Sequence, residues 1–482
     1  MDEFASQYTS SMREDVRIFY PTVQINIAHT IMLAERKIIS RQDAAALLRA
    51  LHNLYKDGIS RLNLKPDLED VHVAVEEFVV KETGVEIGGK LHTGKSRNDQ
   101  VSTAIKLALR KDLLDVEQVL LKLVNTLVML AEKNTDTIMP GYTHLQIAEP
   151  TTFGHHLLAY CSAFLRDVER VEQAYEATNS CPMGACAFAG TSFPIDRARV
   201  AHLLGFKRID ENTMDAVSSR DFVLQAMSAL AIAMVNLSRL AEELSLWSST
   251  EFSMIEIPDE FVSTSSIMPQ KKNPVVSELV RAKTGRVIGN LAGALALLRA
   301  LPQSYNMDLQ ELTPILWSSV DETRNSLEVM EKLMAAVSPK KEIMREHAER
   351  GFSVATELAD TLVRKVGLHF REAHSIVGRM VAMAVEKKKS AREISVEDLS
   401  QASKEILGKE ISLDPVDFKT ALDVDKCVAS RELPGAPALK AIKEQLVLFK
   451  KRIGVHSKTM RSWRRAITKS EEKLLKEAKG RF

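Results

Sequence analysis

Aromatic residues are scarce in this 482-residue chain, at 5% Phe, Trp and Tyr, while Ala, Leu, Val and Met are plentiful. That balance leans towards helix. Cysteine is scarce too: Cys161, Cys181, Cys186 and Cys427 form no C-x-x-C pair and no zinc-finger spacing. Neither a disulfide framework nor a metal site is expected, and a reducing compartment fits best. Net charge is nearly absent, since 65 Lys and Arg face 64 Asp and Glu for a formal +1. No global field draws this chain to nucleic acid or to an anionic membrane, and neither is expected as a partner. There is no G-x-G-x-x-G after a strand-like run and no Walker loop, so no nucleotide or flavin cofactor is expected. The stretch from Met1 to Tyr20 mixes Asp2, Glu3, Arg13, Glu14, Asp15 and Arg17 with few consecutive apolar residues. It does not read as a secretory leader, and the expected location is the cytoplasm.

The length exceeds what one hydrophobic core usually serves, which predicts two or three packed units. Three segments read as long helices. From Ser102 to Leu130 the residues Ile105, Leu109, Leu113, Val116, Leu120, Leu123, Leu127 and Leu130 recur at steps of three and four. Phe222 to Ser238 carries no charge but is interrupted by Gln225, Ser228 and Asn236. It falls short of the roughly 20 solidly apolar residues of a membrane span, so it reads as a helix buried in a bundle. Val276 to Leu301 follows Asn273-Pro274, a cap residue and a first-turn proline. Gly351 to Gly378 is helical in pattern, and a loop-like Ser-Arg-Glu-Leu-Pro-Gly-Ala-Pro closes at Pro437. The expected division is an N-terminal helical domain over 1–101, a central helical bundle over 102–350 and a small C-terminal helical domain with a basic tail over 351–482. The tail from Ser457 holds nine Lys/Arg and three Glu, a net +6 against −5 for the rest, and reads as a solvated helix or frayed end rather than a nucleic-acid arm. Spine helices this apolar around their circumference predict a homo-oligomer.

Three polar stretches interrupt the helical background. His92-Thr93-Gly94-Lys95-Ser96-Arg97-Asn98-Asp99-Gln100 feeds into the first long helix, where free backbone N–H groups beside Lys95 and Arg97 suit a carboxylate or phosphate. Gly141-Tyr142-Thr143-His144-Leu145-Gln146, between two helices, sets a hydroxyl beside an imidazole able to move protons near neutral pH. The stretch from Ser263 to Pro274 holds four hydroxyls, two lysines and two prolines ahead of a helix start. That combination suits holding a carboxylate and the extra negative charge that develops when the adjacent carbon loses a proton, and a loop of this length can close as a lid.

The third stretch resembles the S-S-x-M-P-x-K-x-N-P signature of the fumarase/aspartase superfamily, and His92 to Gln100 resembles the H-T-G-R-S-R-N-D-Q stretch of the argininosuccinate lyases within it. Similar matches run through Pro182–Arg197, Asn212–Phe222, Tyr305–Glu311 and Gly351–Gly378. The resemblance implies an all-α, three-domain subunit with a central long-helix bundle. It implies a homotetramer whose active sites are shared between subunits, and cofactor-free β-elimination of argininosuccinate to arginine and fumarate. It also implies site residues. Ser265 would be the base, with Lys271 lowering the cost of its alkoxide. His144, with Thr143, would assist the departing guanidinium nitrogen, and Glu278 would orient His144. Asn26, Ser96, Arg97, Asn98, Asn273, Tyr305 and Gln310 would bind substrate.

Several positions depart from the family pattern, four of them bearing on the site. Lys95 stands for an arginine, Asn26 for a serine, Thr264 for a glycine, and Thr313 for the lysine that would meet the amino acid end of the substrate. These leave open a sister lyase acting on adenylosuccinate or aspartate, or a non-catalytic, crystallin-like protein of the same fold. Arg97-Asn98-Asp99 favours argininosuccinate, and the presence of Ser265, His144, Lys271 and Asn273 favours catalysis.

Overall fold

The structure, a computed structural model, describes residues 2–62, 64–65 and 68–481; the ends of the expected domains at Met1 and Phe482 lie outside the described residues. Five long helices form the centre: Arg97–Glu132, Phe153–Thr178, Asp221–Ser248, Val275–Leu298 and Leu312–Ala336. The first packs along the second and the fifth, and the third packs along the second and the fourth. The apolar period read from the sequence is the buried stripe of the first helix, where Leu109, Leu113, Val116, Leu120, Leu123 and Leu127 are sealed. That helix begins at Arg97, five residues before Ser102, because the polar 92–100 stretch supplies its cap. Asp221–Ser248 is the one described helix long and apolar enough to cross a membrane by composition, and over half of its apolar window is buried inside the bundle.

The helices Phe19–Glu35, Arg41–Asp57 and Val71–Thr83 pack on one end of the bundle and share its core. Ala355–Val366, Phe370–Glu386 and Val396–Leu407 build a separate core around Leu358, Leu362, Ile376, Met380 and Leu399. Gly367, at φ +77°, ends the first of these three and lets the chain turn into the second. Among the described residues, strand is confined to two-stranded ladders. The largest pairs Ile138–Thr143 with Gln146–Thr152, a hairpin where the sequence reads as an inter-helix loop.

The C-terminal tail departs from expectation. It is neither frayed nor free, but the second half of a 41-residue helix, Leu439–Lys479. Ile442, Leu446, Phe449, Met460, Ile467 and Leu474 are buried in the bundle's own core rather than with the small C-terminal unit. Its cations meet an acidic strip on the bundle: Lys450 reaches Glu132 at 2.7 Å, Arg452 reaches Glu169 at 2.8 Å and Arg464 reaches Asp115 at 2.7 Å. Within the tail from Ser457 itself, Arg464 pairs with Asp115 and Arg481 with Glu35, so part of its charge is met inside the chain.

Candidate functional site

The first polar stretch is a capped helix start anchored from several sides. Ser96 caps Arg97–Glu132, its backbone N–H donating to Asp99 Oδ1 at 3.0 Å while its hydroxyl accepts from the Asn98 N–H at 3.4 Å. The other Asp99 oxygen accepts the N–H groups of Gly184 and Cys186 at 2.9 and 2.8 Å, tying the helix start to the 182–190 loop. Burial pushes the Asp99 carboxyl up to about 6 against those hydrogen bonds. Gly94 turns the stretch at φ +68°, and a Cβ there would meet Ile195 Cγ2 at 3.1 Å, so the close approach requires glycine. Arg97 pairs with Asp70, and its second terminal nitrogen lies 3.9 Å from Glu76. Glu76 also accepts from His92 Nδ1 at 2.7 Å. Burial opposes its charge, but His92, Lys95 and Arg97 outweigh burial and hold the carboxyl at about 2.

This helix start opens onto a cavity of about 180 Å³. Arg97, Asn98, Tyr305 and Gln310, four of the substrate-binding residues expected from the sequence, line it together, although they come from segments some two hundred positions apart. Asn98 Nδ2 donates to the Ala187 carbonyl at 3.0 Å, and Gln310 Nε2 to the Thr9 carbonyl at 3.0 Å. Asp15 and Asp70 line the same wall, and burial pushes the Asp15 carboxyl up to about 7. Three expected substrate-binding residues do not reach the cavity, Asn273 of the third stretch and two beside the helix start. Ser96 is engaged as the helix cap. Asn26 is sealed behind it, donating to the Thr22 carbonyl at 3.0 Å and accepting from Lys95.

The other two stretches point outward. Thr143 and His144 sit at the exposed tip of the hairpin, where His144 and Leu145 both take positive φ, +55° and +57°. Such a turn at non-glycine residues is strained. The stretch from Ser263 forms a short ladder, Ser263–Thr264 against Lys272–Asn273, that folds the intervening loop over itself. The Ser265 hydroxyl accepts from the Met268 N–H at 3.1 Å and the Ser265 N–H donates to the Lys271 carbonyl at 3.2 Å. The loop is otherwise open to solvent, with Ile267 83% exposed. Pro274 occupies the cap position of Val275–Leu298 with no side-chain cap, one residue later than Asn273 was expected to cap it. Lys271 and Glu278 are exposed. None of Thr143, His144, Ser265, Lys271, Asn273 and Glu278 lines the cavity in a single chain.

A family profile described as lyase matches residues 1–289, and a second, described as argininosuccinate lyase C-terminal, matches residues 352–429. The chain is 43% identical to the argininosuccinate lyase of Methanocaldococcus jannaschii, covering 98% of this chain and 96% of that one. It is also 43% identical to that of Methanosarcina mazei, over 98% and 95%. It belongs to the argininosuccinate lyase family. Among solved structures, EDDS lyase in complex with formate superposes with a TM-score of 0.89 at 30% identity, covering 100% of this chain and 96% of that one. A fumarate lyase from Mesorhizobium sp. BNC1 shares the fold, with a TM-score of 0.71 at 21% identity over 91% of this chain and 95% of that one. The expected all-α architecture and the lyase class hold.

Sequence reasoning gave no role to Arg220, which also lines the cavity. It is 2% exposed. One terminal nitrogen donates to the Ser219 and Val217 carbonyls at 2.8 and 3.2 Å, whereas Nε and Nη2 have no hydrogen-bond partner. Burial lowers the guanidinium to about 10, opposed only by the nearby Tyr305 phenol. A sealed guanidinium with two unpartnered nitrogens sets a positive potential on the cavity wall it lines. Nothing in Ser-Ser-Arg-Asp signals this, because the position is set by how Asp221–Ser248 meets the first long helix.

Proposed function

We propose that the protein cleaves argininosuccinate to arginine and fumarate by β-elimination, in arginine biosynthesis. The observation that carries the reading is the single-chain cavity in which Arg97, Asn98, Tyr305 and Gln310 converge in a chain of this family. Its charge suits a zwitterionic amino acid end: the buried Arg220 guanidinium sets a positive potential on the wall that favours a carboxylate, and Asp15 and Asp70 line the same cavity on the side that favours an ammonium. Thr313 lines the same cavity at the position where the family resemblance implies a lysine, so Arg97 and Arg220 are the cations on its wall.

In this reading Ser265 takes the proton from the carbon beside a succinyl carboxylate. The electron pair left behind delocalises into that carboxylate, held by Lys271, Asn273 and Thr143. The carbon–nitrogen bond then breaks and fumarate forms, while His144, oriented by Glu278, delivers a proton to the departing guanidinium nitrogen. No cofactor is needed, because the substrate's own carboxylate serves as the electron sink. The four cysteines are unpaired and buried, which supports a reducing, cytoplasmic setting.

The site is completed by assembly, as a homotetramer in which each active site draws on several subunits. Leu279 and Leu295 are 57% and 52% exposed on Val275–Leu298, and Ile232 and Val235 are exposed on Asp221–Ser248. These exposed apolar side chains on the bundle helices support burial against further copies. Such packing brings the outward hairpin and the outward Ser265 loop of neighbouring copies towards the cavity. Light scattering at the mass of four chains supports the assembly, and a 53.7 kDa monomer that still turns over argininosuccinate overturns it.

A further inference from the structure

Two departures from the family pattern meet in space. Lys95 and Asn26, 69 positions apart, are joined by a hydrogen bond from Lys95 Nζ to Asn26 Oδ1. Both side chains are sealed from solvent. A buried ammonium needs acceptors for its protons, and Asn26 provides one directly, while the Glu76 carboxylate lies 3.9 Å away. Asn26 is held in turn by its bond to the Thr22 carbonyl and by Gln100 Nε2 at 3.5 Å. The remaining groups facing Lys95 are His72 from Val71–Thr83, His29 from Phe19–Glu35, and Arg97 and Asp99 from its own segment. Burial holds His29 at about 3 and His72 at about 4, so neither adds a charge at neutral pH.

We propose that Asn26 and Lys95 form a matched pair that positions Arg97 and Asn98 at the mouth of the cavity. Lys95 is joined to Arg97 through Ser96 alone, whose extended backbone at φ −133° caps the helix, so a displacement of Lys95 moves the first helical turn. Lysine is shorter than arginine and carries its charge at a point, and asparagine reaches further than serine. Each exchange therefore fits only beside the other. A serine at 26 leaves the ammonium short of its acceptor, and an arginine at 95 drives a larger planar group into Asn26. The pair acts on substrate through Arg97 and Asn98. The inference rests on the cavity being the argininosuccinate site.

The test is a double-mutant cycle over the wild type, Asn26→Ser, Lys95→Arg and Asn26→Ser/Lys95→Arg, measuring KM and kcat for argininosuccinate and the melting temperature. Each single exchange is expected to raise KM about tenfold with kcat changed less than about threefold, and the double exchange to return KM to within about threefold of wild type. A second readout is pH. Burial lowers the Lys95 ammonium to about 8, so the wild-type KM rises above that pH, whereas the double variant, with a guanidinium that keeps its proton, shows no such limb. Losses in the double variant that multiply those of the singles, or the same alkaline limb in all four proteins, would overturn the pairing. Should the wild type release no fumarate from argininosuccinate, the activity reading fails, and the melting temperatures at pH 7 and pH 9 judge the pair. Recovery in the double variant then supports it and additive loss overturns it.

Discussion

The 92–100 segment and the 263–274 segment are alike in composition and opposite in condition. Both are polar, both carry two cations, and both lead into a helix of the central bundle. The first is sealed by its own chain: Lys95 ends on Asn26, Arg97 on Asp70, and Asp99 on two backbone N–H groups. The second is exposed, its helix start lacks a side-chain cap, and its Lys271 and Lys272 face solvent. A binding surface can be built in advance by one chain, since it need only fit a ligand. In the proposed reaction the second segment would close over the reacting carbons, which calls for a loop that stays open until substrate arrives.

The largest expected effects break the exposed half. Ser265→Ala and His144→Asn should each lower the rate of fumarate release at least about a hundredfold, the usual scale for acid–base groups, with unchanged mass by light scattering because both side chains lie on exposed loops. Unfolding and refolding these two inactive variants together should regain turnover that neither shows alone, since a shared site can then combine an intact Ser265 with an intact His144. Continued inactivity of correctly assembled mixtures would place both residues in one chain's site.

Breaking the sealed half should act on binding and stability instead. Arg220→Met is expected to raise KM for argininosuccinate at least about tenfold, by removing a charge-assisted contact to a carboxylate, with a smaller change in kcat. Asp99→Ala removes the capping interaction and the bonds to Gly184 and Cys186, and should cost about 2–4 kcal/mol of unfolding free energy in a denaturant titration. A last effect falls beneath the terminal helix and grows with pH from nothing in acid. Burial, then repulsion from Glu172, pushes the Glu117 carboxyl up from 4.5 to about 9. Between those values the folded chain keeps a proton that the unfolded chain has released, so stability falls as pH rises across that window. Glu117→Gln should therefore melt higher than wild type by a margin near zero at pH 4 and increasing to pH 9.

The same contrast separates what could be read in the sequence from what could not. The spine helices were legible because Leu109 through Leu127 repeat on one face, and the signature loops because several functional groups are contiguous in the chain. The hairpin was hidden: Pro140, Gly141 and Pro150 disguise its strands, and a register shift between Pro140 and Tyr142 breaks the alternation that marks a strand. The docking of Leu439–Lys479 was hidden because its partners, Asp115, Glu132 and Glu169, are spread over two other helices. Arg220 was hidden for the related reason that an unpaired buried cation is a property of packing. Asn26 was legible as a departure from the family, but its partner was not, because the contact with Lys95 exists only once Phe19–Glu35 lies against the 92–100 segment.

The account is tested most directly by following fumarate in the ultraviolet while argininosuccinate, adenylosuccinate and aspartate are each offered to the assembled protein. It predicts sustained release from argininosuccinate and none from the other two. Release from adenylosuccinate or aspartate, with argininosuccinate left intact, would contradict it.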